Sequence, residues 1–136
     1  MGVHKDADAV ALYQRAATAG ISAAQHHLGS AYAEGVGGLK RDVAAAVKWW
    51  TRAAQAGVSH AQLDLAAALW EGDGIPRDAP SAVKWWRAAA SSGVLKAAEN
   101  LAHAYAEGGE GVEEDVVEAT RWAKVARALR RAKEES

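Results

Sequence analysis

The side chains of this chain that could move a proton or hold a metal are few, and their spacing is that of helix surfaces. His60 and Asp64 stand four positions apart and His103 follows in a later segment, forming the one acid/base grouping of note. No glycine-framed nucleophile accompanies it, and the chain has 0 cysteines. Four apart is also the spacing of an ordinary charge pair on a helix face. His26 and His27 are adjacent, so on a helix they diverge by about 100°. Equivalent histidines on neighbouring packed helices would stand roughly 10 Å apart, too far to share an ion. The expectation is no catalytic residue, no metal, no cofactor and no enzyme.

Glycine-rich stretches at Gly35 to Arg41, Gly72 to Arg77 and Gly108 to Glu114 each lead into a helical segment, as a phosphate-binding loop would. Asp42, Asp78 and Asp115 stand at the helix starts, and no GKS or GKT follows. An anion there would be repelled, so these are turns.

With 16 basic and 17 acidic side chains the net charge is −1, which argues against nucleic-acid binding. No apolar run approaches the roughly 20 residues of a membrane span. The opening Met-Gly-Val-His-Lys-Asp lacks an apolar signal core, and without cysteine there are no disulfides, so a cytoplasmic setting is expected.

A repeat positions these residues. Val47-Lys48-Trp49-Trp50 recurs as Val83-Lys84-Trp85-Trp86 and, degraded, as Thr120-Arg121-Trp122-Ala123, at intervals of 36 and 37 residues. Each period reads as two helices. The second begins at Asp42, Asp78 or Asp115, where a carboxylate accepts from free amides and suits the helix dipole. Pro80 fits the first turn. Ala46, Trp49, Trp50, Ala53 and Ala54 then share one face, so the paired tryptophans, with Trp122, are assigned to the core.

Gly57-Val58 and Gly93-Val94 read as left-handed helix stops, as does Gly20-Ile21. Ala11 to Gly20 is therefore the tail of an earlier half-repeat, with Leu12 and Tyr13 in place of the tryptophans. The first helix of each period starts directly after the stop. Ser22 with Gln25, and Ser59 with Gln62, fit a capping box, which the third copy lacks. Ala24, Leu28, Gly29 and Tyr32, with Ala61, Leu65, Ala66 and Leu69, and with Ala97, Leu101, Ala102 and Tyr105, are core positions.

Ala-x-x-x-Leu-Gly-x-x-Tyr from Ala24, Gly-x-Gly-Ile-x-x-Asp from Gly72 and Ala-Val-Lys-Trp-Trp-x-x-Ala-Ala-x-x-Gly from Ala46 resemble the Sel1-like repeat, a relative of the tetratricopeptide repeat. The resemblance implies an all-α, right-handed superhelical solenoid of about three helix pairs plus a leading half-repeat, roughly seven helices. A single domain over 1–136 is expected, with a leading helix at 6–20 and repeats at 22–57, 59–93 and 95–133. Ala123, Arg127 and Arg130 depart from the pattern, and the last helix runs on through Arg131 and Lys133, as a polar capping helix would. The molecule is expected to be complete.

The resemblance further implies a protein or peptide partner held by a monomeric scaffold, on the concave face lined by the first helix of each pair. Uncommitted positions there are His26, His27, Ser30 and Glu34; His60, Leu63, Asp64, Ala67, Trp70 and Glu71; and Lys96, Glu99, Asn100, His103 and Glu107. Trp70 replaces Ala33 and Ala106 of the other copies. It reads equally as an exposed anchor and as a residue packed on a loop near Ile75. Glu34, Glu71 and Glu107 form an acidic row, whereas Lys48, Arg52, Lys84, Arg87, Arg121 and Lys124 make the second helices basic. A basic or amphipathic ligand suits that polarity. Only Lys96 and Asn100 match a clamp for acidic C-terminal tails, so that activity is not expected. Two other readings fit the chain: an immunity or antitoxin-like inhibitor, and an engineered, consensus-like repeat without a natural ligand.

Overall fold

Helix stops and starts alternate so closely that the chain is a stack of antiparallel helices. The computed structural model describes residues 2–135, with side chains from Asp6 onward, so the outermost residues of the expected domain lie outside the described residues. In order come α1 (Gly2–Thr18), α2 (Ser22–Glu34), α3 (Val43–Gln55), α4 (Ser59–Glu71), α5 (Ala79–Ser91), α6 (Leu95–Glu107) and α7 (Val116–Glu135). Each helix packs on the next, and this is a solenoid of seven helices without a strand among the described residues.

The odd-numbered helices α3, α5 and α7 begin at the expected caps. Asp42 accepts from the Ala45 amide at 3.0 Å, Asp78 from that of Ser81 at 3.2 Å and Asp115 from that of Glu118 at 3.1 Å. Asp78 also takes a 2.7 Å bond from the Ser81 hydroxyl, and these bonds hold its carboxyl below the ordinary value. Its cap therefore stays charged at neutral pH. The amides of the same three aspartates donate to Tyr32, Leu69 and Tyr105 carbonyls, strapping each loop shut at 2.9, 2.8 and 2.8 Å.

The even-numbered helices begin otherwise, and the capping box is not formed. Ile21, Val58 and Val94 occupy the cap positions, none with a side-chain bond. Gly57 has φ 92°, and the Val58 amide reaches back to the Ala53 carbonyl at 3.0 Å. This stop leaves a single residue before the next helix, so Ser59 arrives one position too late to cap it. The buried glutamines turn backwards instead: Gln25 Nε2 donates to the Ala17 carbonyl at 3.2 Å and Gln62 Nε2 to that of Ala54 at 3.1 Å. They add a second donor to helix-end carbonyls that the Gly20 and Gly57 amides also reach, both at 3.0 Å.

Within each tryptophan pair the two indoles differ. Trp50 and Trp86 are buried, as is Trp122, whereas Trp49 and Trp85 are only half-buried, which corrects their assignment to the core. Trp49 packs back against the first cluster with Leu28 and Tyr13, under Lys48 and Arg52, which stand 5.9 and 4.8 Å from its ring centre. Trp50 packs forward with Ala61 and Leu65. A Cβ on Gly29 would stand 2.5 Å from Trp50 Cδ1, so only glycine admits the indole at that contact.

Truncating Trp50 to alanine should cost about 3–5 kcal/mol in chemical denaturation, and truncating Trp49 less than half of that. Comparable losses would remove the distinction between the two indoles. A second expectation concerns Trp86, whose indole nitrogen is buried without an acceptor, whereas Trp50 Nε1 donates to Ser30 Oγ at 3.4 Å. Ala67 occupies the repeat position of Ser30. Ala67→Ser should stabilise the fold by about 0.5–1 kcal/mol, after roughly 0.5 kcal/mol lost to helix propensity, as read by urea midpoint.

Candidate functional site

The residues singled out on the first helices fall along α2, α4 and α6, which stand side by side and leave clefts between them. Between α2 and α4 lies a cleft of about 200 Å³ that includes Ala33, Trp50, Asp64, Ala67 and Glu71. Between α4 and α6 lies one of about 340 Å³, lined by Ala67, Trp70, Glu71, Trp86, Lys96, Asn100, His103 and Ala104. His27, Ser30 and Glu34 line a third, about 190 Å³, against α1. Ala67 and Glu71 belong to two clefts and join them into one surface.

Asp64 pairs with a histidine, but across repeats: His26 Nε2 donates to its Oδ2 at 2.8 Å. His60 points elsewhere, exposed and outside every cleft named above, so the i,i+4 pair His60–Asp64 is not made. His27 stacks on Tyr13 at 5.0 Å, and His103 lies 3.1 Å from Glu107. Among the described residues no group of three or more metal-ligating side chains converges.

Trp70 meets both expectations in part. Its ring packs on Trp86 with centres 5.4 Å apart and planes tilted by 46°, Arg77 lies 4.9 Å from its ring centre, and Gly109 of the α6–α7 loop passes close against it. The loop it supports is thus that of the next repeat, while its remaining surface lines the α4–α6 cleft. Leu63 is half-buried against the C-terminal core. Glu34, Glu71 and Glu107 are exposed, as are Lys96 and His103. Glu99 is engaged with Arg130 of α7.

The pattern of the Sel1 repeat matches residues 5–21, 22–58, 59–94 and 95–129. The chain belongs to the Sel1 repeat family. Among solved structures it superposes on c5321, a protective antigen of uropathogenic Escherichia coli strains displaying an SLR fold, with a TM-score of 0.85 at 29% identity. That match covers 90% of this chain and 26% of the other. A Sel1 repeat protein from Oxalobacter formigenes matches with a TM-score of 0.74 at 31% identity, over 81% of this chain and 44% of the other. The chain therefore spans less than half the length of either protein. No curated protein matches it significantly. Sel1 repeat proteins are generally protein-interaction scaffolds without catalytic activity. Among the described residues no helix is long and apolar enough to cross a membrane.

Reading only the first helices of the Sel1 repeats overlooks residues that the loops and second helices bring to these clefts. Arg41 and Asp73, 3.6 Å apart, and Val43 border the α2–α4 cleft, and Trp86 forms a wall of the next. The available signal was Arg41 and Arg77, each one residue before a capping aspartate.

Trp70→Ala should lower stability by about 2 kcal/mol, short of the roughly 3–5 kcal/mol of a fully buried tryptophan. Breaking the partly exposed pair with His26→Ala should cost less than about 1 kcal/mol. Equilibrium unfolding measures both, and a larger loss for His26 would reverse this ranking.

Proposed function

We propose that this domain is a non-catalytic scaffold that holds a basic, amphipathic helical segment of a partner protein along the surface formed by α2, α4 and α6. The observation that carries the reading is the run of adjoining clefts floored by Ala67, Trp70 and Trp86 and edged by Asp64 and Glu71. An apolar floor with carboxylates at its rim offers burial to one face of a helix and charge complementarity to the other. Asp64, Glu71 and Asp73 outnumber Arg41 at the α2–α4 cleft, which favours a cationic ligand. Much of the opposing basic charge is held elsewhere, over Trp49, Trp85 and Trp122 on the second helices. Family membership supports the scaffold role.

The reading is tested with two fluorescently labelled helical peptides of equal length, one alternating leucine with lysine at helical spacing and one leucine with glutamate. Anisotropy should show saturable binding of the lysine peptide only. The double substitution Glu34→Lys with Glu71→Lys should weaken it at least tenfold, at unchanged melting temperature and with a lower salt sensitivity. Equal binding of both peptides, or wild-type affinity in the double variant, would refute the acidic groove.

A further inference from the structure

The third repeat lacks two indoles that fill the corresponding corner of the second. Counting from the capping aspartates, Trp50 and Trp86 stand eight positions on, and the same count from Asp115 reaches Ala123. Ala106 likewise stands in α6 where Trp70 stands in α4. In α4 and α5 those two tryptophans pack on each other in a tilted pair, ring centres 5.4 Å apart and planes at 46°. In α6 and α7 the two alanines face a cleft of about 550 Å³, within the range of sites that take small ligands or single anchoring side chains. Ala102, which corresponds to Gly29 and Ala66 in the indole contact, lies on its floor with Ala119 and Ala126.

The rim changes with the floor. Arg127 stands where Ala54 and Ala90 close against the following helix, and Arg130 where Gly57 and Gly93 end theirs. Without that glycine α7 continues to Glu135 and carries both arginines past the cleft. Arg130 is neutralised by Glu99, and His103 is paired with Glu107 at 3.1 Å. Arg127 makes no hydrogen bond, ion pair or ring contact among the described residues. A free guanidinium therefore stands beside an open, alanine-floored cleft at positions that hold tryptophan in the second repeat. Such a group pairs with a carboxylate in two-pronged fashion or lies flat on an aromatic ring.

We infer that the α6–α7 cleft receives one aromatic side chain of a partner polypeptide, indole in shape, with a carboxylate next to it in sequence that reaches Arg127. The inserted ring takes the place that Trp50 and Trp86 fill in the earlier repeats. This site rests on the scaffold reading but prefers the opposite charge from the groove between α2 and α4, so the two surfaces would hold different segments of a partner.

The test titrates three blocked pentapeptides, Glu-Glu-Trp-Glu-Glu, Glu-Glu-Ala-Glu-Glu and Lys-Lys-Trp-Lys-Lys, into the full chain labelled for NMR at backbone amides and alanine methyls. The first should give saturable shifts centred on Ala102, Thr120 and Ala123, with both others at least tenfold weaker. Ala123→Trp should abolish those shifts while its melting temperature holds or rises, because the slot is then filled from within. Arg127→Glu should transfer the preference to the lysine-flanked peptide. The lysine helix of the groove test reports on α2 and α4, so either site can fail without the other. No saturable shift at the three named residues, or undiminished binding by Ala123→Trp, overturns the site; equal affinity for the two tryptophan peptides overturns the role of Arg127.

Discussion

An indole wedged between small residues is the contact from which the rest of this stack follows. Trp50 reaches across to α2, where Gly29 leaves just enough room, and Trp86 reaches α4, where Ala66 stands at the same register. Clustered with each indole, on its own helix and on the next, are alanines with essentially no exposed surface: Ala46, Ala53 and Ala61, then Ala82, Ala89 and Ala97. Alanine allows the helices to approach, and one large ring per repeat supplies the volume that alanines cannot. The composition follows from this arrangement. A core of alanine with one indole per corner needs no phenylalanine, and the chain has none.

Pairing the tryptophans gives each second helix two directions of attachment. The first indole of the pair faces the preceding repeat under a lysine or arginine, and the second faces the following one. Trp85 makes the linkage explicit, since it packs against both the middle and the C-terminal cluster. At α7 only the first of the two is kept. Trp122 is buried against the C-terminal cluster and donates to Glu118 at 3.3 Å, while the forward position is Ala123. The forward position of α7 therefore lacks the indole that fills it in α3 and α5.

Most of the fold could be read from the sequence because its decisive signals are local. An aspartate cap acts on an amide three residues away, and a glycine stop acts on carbonyls within one turn. The wrong readings share a different property: their true partners lie further off. Ser59 and Gln62 have capping-box spacing, yet Gln62 bonds to Ala54, eight residues back across a turn. Asp64 sits four residues from His60, yet its partner is His26, 38 residues away on another helix. Trp49 and Trp50 are indistinguishable by composition and nearly so by periodicity. Their burial differs because adjacent residues face opposite neighbours in the stack. Trp70 illustrates the same limit, since its support by Gly109 and Arg77 depends on loops from two different repeats.

The candidate sites are those positions at which one repeat departs from the others, and there is a physical reason for this. A residue present in every copy answers a need that recurs in every copy, such as filling a corner, capping a helix or strapping a loop. A residue found once answers something local. Trp70 against Ala33 and Ala106, Ala123 against Trp50 and Trp86, and Arg127 against Ala54 and Ala90 are such departures. Two of them lie together at the α6–α7 cleft, and they act in the same sense: one removes volume and the other adds unpaired charge at its edge. Loss of an indole alone would leave a defect in packing, and an exposed arginine alone would be an ordinary surface residue. Their coincidence makes an alanine-floored cleft with an unpaired cation at its edge, which is the minimal equipment for recognising an aromatic side chain beside a carboxylate.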